Sequence, residues 1–297
     1  MTIQNIEPIK TGVSAALACD NRVQDFKNAM LDAGITPPDN LIGDGKLHRF
    51  KIDGKLNGAY VLHLDGRAAG YFQDFKQGIK QNWKLDGDFK PLTLAERQVF
   101  AIECQRQSEE RQAEESKRHA EAVGKATYIW SRSTLVSNHP YLTKKGVKSH
   151  NVRCYRGSLV IPLYDENGAL VSLQFIGDDG TKRMMKGGKA QGCYCWIGER
   201  EPGGTILICE GWATGASLYQ HTGHFTVIAF SAGNLKAVAE FIRLRQPDHE
   251  IIICGDNDER GTGQAAARSA ALAIGGKYIL PPEIGTDFND MLAARDA

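Results

Sequence analysis

Three short apolar runs in the last hundred residues, each closed by acidic residues, constrain this chain more than any other feature. Ile206 to Cys209 is followed by Glu210-Gly211, and Ile251 to Cys254 by Gly255-Asp256-Asn257-Asp258. Tyr278 to Leu280 leads through a Pro-Pro turn to Asp287 and Asp290. Segments of helix length begin at about Ala213, span Leu235 to Leu244, and begin again at Gly263, with a further apolar run at Thr226 to Phe230. Alternation of this kind predicts a parallel sheet covered on both faces, whose working positions lie beyond the carboxyl ends of its strands. Five carboxylates on one rim repel one another unless a hard cation is present, and Mg²⁺ takes carboxylate oxygens and water. Glu210, Asp256, Asp258, Asp287 and Asp290 are therefore the expected metal ligands.

A net charge of +1 hides an uneven distribution. Residues 125–200 carry 12 Lys and Arg against 5 Asp and Glu, whereas residues 201–297 carry 7 against 12. A basic segment thus precedes an acidic one, which suits a protein that holds phosphates on one surface and a divalent cation on the next.

The upstream chain reads as three further parts. Residues 1–92 open with a helical pattern over Arg22 to Asp32. Alternating segments follow: Phe50 and Ile52 oppose Arg49 and Lys51, and Tyr60, Leu62 and Leu64 oppose Val61 and His63, so a small antiparallel sheet is expected. Residues 93–124 are crowded with Glu, Gln, Arg, Lys and Ala and predict a long charged helix acting as a spacer. Residues 125–200 form a basic α+β part. There Ser158 to Tyr164 and Ala169 to Ile176 flank the hairpin turn Asp165-Glu166-Asn167-Gly168, and a loop from Asp178 to Gly192 carries Lys182, Arg183, Lys186 and Lys189.

The run Ile206-Leu207-Ile208-Cys209-Glu210-Gly211, the run Ile251 to Asp258 with Gly261 after it, and Thr286-Asp287-Phe288-Asn289-Asp290 resemble the strand-Glu-Gly, DxD and third acidic motifs of the TOPRIM domain. That domain is shared by bacterial-type primases, type IA and II topoisomerases, OLD-type nucleases and small ribonuclease-maturation nucleases. The hairpin Leu159 to Gly177, Lys182-Arg183 and Tyr194 to Gly198 resemble the segment that precedes TOPRIM in bacterial, phage and plasmid primases.

The resemblance implies a C-terminal Rossmann-like TOPRIM domain over residues 201–297 in a DNA primase of the mobile-element type. Such an enzyme joins ribonucleoside triphosphates on a single-stranded DNA template with Mg²⁺ or Mn²⁺, and a replicative helicase is its expected partner. Glu210 would then be general base or metal-linked, Asp256, Asp258 and Asp287 would hold metal, Gly211 would border the nucleotide, and Lys182, Arg183 and Lys186 would hold triphosphate or template backbone. A metal-dependent nuclease on the same carboxylates, or a non-catalytic replication or DNA-binding module, is the alternative. Too little chain flanks the TOPRIM segment for the strand-passage domains of a type IA topoisomerase.

The seven cysteines are scattered without CxxC spacing, so neither a zinc ribbon nor a disulfide framework is expected. Template reading would then fall to residues 1–92 without zinc, where Arg49, Lys51, Tyr60, His63, Tyr71, Phe72, Phe75 and Trp83 mix basic and aromatic side chains. No GxxxxGK[ST] motor motif is present. No run approaches the ~20 apolar residues of a membrane span, and the first ten residues lack a signal-peptide layout, so a cytoplasmic protein is expected.

Overall fold

A computed structural model describes residues 12–64, 67–75, 77–87, 93–150 and 152–296, in two units divided between Phe100 and Ala101. In the first unit, α1 (Gly12–Asp32) precedes an antiparallel meander of β1 (His48–Ile52), β2 (Lys55–His63), β3 (Ala69–Asp74) and β4 (Ile79–Lys84). Tyr60 pairs with Phe72, and both lie on the face that packs with Phe50, Leu62 and the α1 residues Phe26 and Met30. Trp83 joins them edge-on to Phe26 at 5.1 Å. The aromatic platform expected here is therefore largely core. A domain of this size has little other large apolar volume, so its rings go inside. Arg49 and Lys51 stay exposed on the opposite face; the Arg49 guanidinium lies 4.3 Å from the Phe75 ring centroid and donates to the Leu56 carbonyl.

Helix α2 (Leu94–Arg132) does not stop at Gly124 as its composition suggests. A mid-helix glycine costs about 1 kcal/mol relative to alanine, and here its neighbours offset it: Ala122 and Ala126 are buried against Val160, Leu173 and Met185. The end of α2 is thus part of the second unit's core.

The second sheet runs β5 (Thr134–Leu135), then, after α3 (Pro140–Lys145), β6 (Arg153–Tyr155), β7 (Ser158–Tyr164), β8 (Leu170–Ile176) and β9 (Lys182–Met184), antiparallel in chain order. The β7–β8 hairpin turns at Gly168, whose φ of 78° suits glycine. The segment read as a basic loop contains β9, a third strand added to that hairpin; its three residues are all exposed, so it lacks the buried alternation that marks a strand in sequence.

The last sheet is ordered β10 (Cys195–Ile197), β12, β11, β13, β14. Its chain path is β11 (Ile206–Cys209), α4 (Trp212–Thr222), β12 (Phe225–Ile228), α5 (Ala232–Arg245), β13 (Ile251–Cys254), α6 (Thr262–Ile274), β14 (Lys277–Ile279) and α7 (Phe288–Asp296). β11 to β14 are parallel, and β10 is an antiparallel edge. Strand β11 is buried throughout, as its apolar run demands. Helix α4 and the inner face of the second sheet cover one side, with Leu159, Ile161 and Ile176 packed near Trp212 and Ala216. Helices α5 and α6 cover the other. This is the mixed α/β architecture expected, with a parallel C-terminal sheet preceded by an α+β part and a β-rich part.

Candidate active site at the acidic rim

From β11 the chain crosses to β12 on one side and then returns to β13 on the other. A reversal of this kind opens a crevice at the carboxyl ends of the two diverging strands, where α/β sheets bind ligands. Cys209 and Cys254 are direct partners across β11 and β13, so Glu210 and Asp256 leave the sheet at that crevice.

Among the acids of the rim, these two carboxylates are the chemically unsatisfied ones. Glu210 Oε1 and Asp256 Oδ1 are buried without a hydrogen-bond partner. Burial pushes Glu210 up to about 7, Asp256 and Asp258 add to the rise, and the Ala232 N–H opposes it. Burial likewise pushes Asp256 up to about 6, with Asp287 adding and Lys182 pulling it back. Buried polar atoms are nearly always partnered, so two orphaned carboxylate oxygens at a switch point call for a cation or a proton.

Asp258 is different in kind. Its Oδ2 accepts the Gly263 N–H at 2.6 Å and its Oδ1 accepts those of Arg260 and Thr262, which holds its carboxyl below the usual range. It anchors the start of α6. Gly263 belongs to the same arrangement, because a Cβ there would run into the Asp256 carbonyl oxygen.

Asp287 also works for the backbone: Oδ1 accepts the N–H groups of Asn289 and Asp290 at the head of α7, and Oδ2 accepts the Thr214 hydroxyl from α4. Asp290 pairs with Lys145 at 3.2 Å. The five acids expected as ligands therefore divide by role. Among the described residues no three His, Cys, Asp or Glu side chains form a ready metal cluster.

Several residues that build the rim carry no sequence signal of their own. Asn257, between the two aspartates, bonds Thr286 through its backbone and Pro281 through its side chain, tying the second acidic motif to the third. Asn289, buried, donates to the Lys145 carbonyl and the Ser217 hydroxyl, tying α7 to α3 and α4. Tyr141 on α3 is buried, and burial together with nearby Asp287 pushes its phenol up to about 12.

The three basic residues grouped in sequence are separated by strand alternation. Lys182 pairs with Ile176 and faces the last sheet; its Nζ lies 3.7 Å from where a Gly211 Cβ would sit. Arg183 pairs with Phe175 and, with Lys186, borders the α2 side instead. Arg49 and Lys51 belong to the first unit. Of Lys182, Arg183 and Lys186, Lys182 alone is thus placed at the rim.

Residues 205–297 match the Toprim domain family, and the acidic rim lies within the matched segment. Two curated proteins of Escherichia coli, each called DNA primase TraC, resemble the chain along most of its length. One is 34% identical over 280 residues, covering 86% of this chain and 26% of that protein; the other is 35% identical over 283 residues, covering 87% and 19%. The chain therefore spans about a quarter of the first relative and a fifth of the second. The resemblance to Toprim primases read from the motifs extends well upstream of the Toprim segment. Among solved structures, the primase fragment of the bacteriophage T7 primase-helicase is 19% identical, with a TM-score of 0.42 over 56% of this chain and 73% of that one, a likeness too slight to build on.

Proposed function

We propose that this chain is a DNA primase, joining ribonucleoside triphosphates on a single-stranded DNA template in the cytoplasm. The carrying observation is the pair of orphaned carboxylates, Glu210 and Asp256, set opposite Lys182 at the switch point of a Toprim sheet. Identity of 34–35% to two DNA primases across both the basic and the acidic parts supports the same reading.

The donor set fits a hard divalent cation. Mg²⁺ keeps several waters and is commonly held by one or two carboxylates plus substrate phosphates, so Glu210 and Asp256 suffice without a three-ligand cluster. Magnesium or manganese bound there supplies charge neutralisation at the phosphates. Asp258 and Asp287, fixed by backbone N–H groups, hold the flanking loops.

In the reaction, a 3′-hydroxyl attacks an α-phosphate, the new P–O bond forms in line, and pyrophosphate leaves. Glu210, at the crevice end of β11, accepts the hydroxyl proton. Lys182 faces the departing charge from the second sheet. Gly211 leaves the phosphate side of the crevice open beside that ammonium. Arg49 and Lys51 on the exposed face of the first unit's sheet add template contacts, with no zinc required, and a helicase is the natural partner.

The test is one incubation of the chain with single-stranded DNA, labelled ribonucleotides and Mg²⁺ or Mn²⁺. Short RNA products support the reading. DNA cleavage would make the rim a nuclease, and neither product would leave a binding module.

A further inference from the structure

On the outer face of the second sheet, away from the acidic rim, the end of α2 and strands β6 to β9 enclose an open groove of about 1130 Å³. Its lining includes Ala122, Ile129 and Met185, which belong to the small apolar cluster completed beneath it by Ala126, Val160 and Leu173. Arg118 and Lys125 come from α2, Arg156 from the β6–β7 turn, and Arg183 and Lys186 from β9 and the loop after it. Glu121 is the one carboxylate on the lining. Among the described residues none of these five cations is in an ion pair, and all are exposed.

Aromatic rings line the same groove. Tyr128 is 57% exposed, far more than core use would leave it, and the Arg132 guanidinium lies 5.7 Å from its centroid. Tyr155 stands below Arg156 at 5.3 Å, and Phe175 closes the floor beside Arg183. Exposed cations along a groove, with one exposed ring and two half-buried ones between them, are the chemistry that takes a polyanionic backbone and stacks its bases. An acidic protein partner would meet the cations but leave the rings unexplained.

The edge strand β9 links this groove to the rim. Alternation sends Lys182 to the Toprim side and Arg183 to the groove side of one strand whose outer edge is unpaired. A nucleic-acid strand that leaves the rim past Lys182 and crosses that edge meets Arg183 and Lys186 next, and then the α2 cations. We propose that the groove between α2 and the second sheet holds single-stranded DNA leading to or from the acidic rim. This rests on the primase reading for what the strand is used for, but not for the binding itself.

The test measures binding of a fluorescein-labelled oligo-dT to the full chain by anisotropy, with EDTA and without nucleotides, so that it does not depend on synthesis. Lys125→Glu combined with Arg156→Glu and Arg183→Glu should weaken binding at least about tenfold and flatten its salt dependence. Tyr128→Ala should weaken it about fivefold or more, and Tyr128→Phe should restore it, because stacking needs the ring and not the hydroxyl. Lys236→Glu, an exposed reversal on α5, controls for net charge, and thermal melts confirm folding. If the triple variant loses no more than its charge change predicts from Lys236→Glu, and Tyr128→Ala binds like wild type, the groove is not a nucleic-acid site. Intact groove binding with no primer synthesis would instead overturn the primase reading and leave this one standing.

Discussion

The Lys182 ammonium stands over Gly211 between the two sheets of the second unit, 3.7 Å from the position a Gly211 Cβ would occupy. This proximity brings the post-hairpin strand to the first acidic motif. It makes the lysine part of the rim, although Lys182 itself is exposed and contributes little packing.

Lys182→Ala should therefore lower primer synthesis by at least about tenfold, roughly 1.4 kcal/mol of transition-state stabilisation, with almost no change in thermal stability. A nucleotide titration separates weaker binding from slower chemistry. A variant matching wild type at every nucleotide concentration would reduce Lys182 to a solvated surface residue.

The two aspartates of Gly255-Asp256-Asn257-Asp258 should respond oppositely to removal. Asp258 satisfies backbone N–H groups at the start of α6, so Asp258→Ala should cost about 0.5–2 kcal/mol of stability. Asp256 keeps an orphaned buried oxygen among other acids, so Asp256→Asn should be neutral or stabilising in EDTA. Only the Asp256 variant should lose the upward shift in melting temperature that Mg²⁺ or Mn²⁺ gives the wild type while keeping its metal-free stability. Equal destabilisation by both changes would contradict this division of roles.

The division was not legible in the sequence, where Asp256 and Asp258 look alike. The strand-acid pattern revealed the parallel sheet, the rim and its three motifs, because apolar runs such as Ile251 to Cys254 can only be buried strands and their ends must lie on one edge. What the pattern lacks is direction. Whether a carboxylate turns to a helix N-terminus or into the crevice depends on loop geometry set by Gly263 and Asn257. The division of Lys182 from Arg183 between the two faces was hidden for a similar reason: β9 is three exposed residues long, and without a visible strand its alternation could not be applied. Tyr60, Phe72 and Trp83 went to the core because Phe26 and Met30 of α1 needed partners that the local sequence around each ring does not display.

Asn289 offers a test of how the third motif is held. Its side-chain amide bridges α3 and α4 from within the fold, so Asn289→Ala leaves the Lys145 carbonyl and Ser217 hydroxyl short of a donor. A loss of about 1–3 kcal/mol is expected in urea unfolding. Because Asp287 takes its own position from the head of the same helix, synthesis should also require more metal for half-saturation, measured at a temperature where the variant is fully folded. Unchanged stability would mean that water replaces the amide and the bridge is dispensable.

The raised proton affinity of Glu210 fixes the sign of a pH effect in the metal-free protein. The carboxyl is pushed from its ordinary 4.5 up to about 7 in the folded chain, mainly by burial. Folding therefore favours the protonated form, and the folded state binds more protons than the unfolded one between those two values. The contribution to stability is fully present below about 4.5 and is lost as pH rises through about 7. Glu210→Gln removes the titration while keeping the shape. In EDTA, the stability of the glutamine variant relative to wild type should thus climb between about pH 4.5 and 7 and level off above it. Saturating Mg²⁺ should reduce that gap, because a cation favours the carboxylate that burial disfavours. A relative stability that stays flat across this range, measured by thermal melts in buffers of matched ionic strength, would show that water reaches Glu210 freely and that its orphaned oxygen is not held out of solvent.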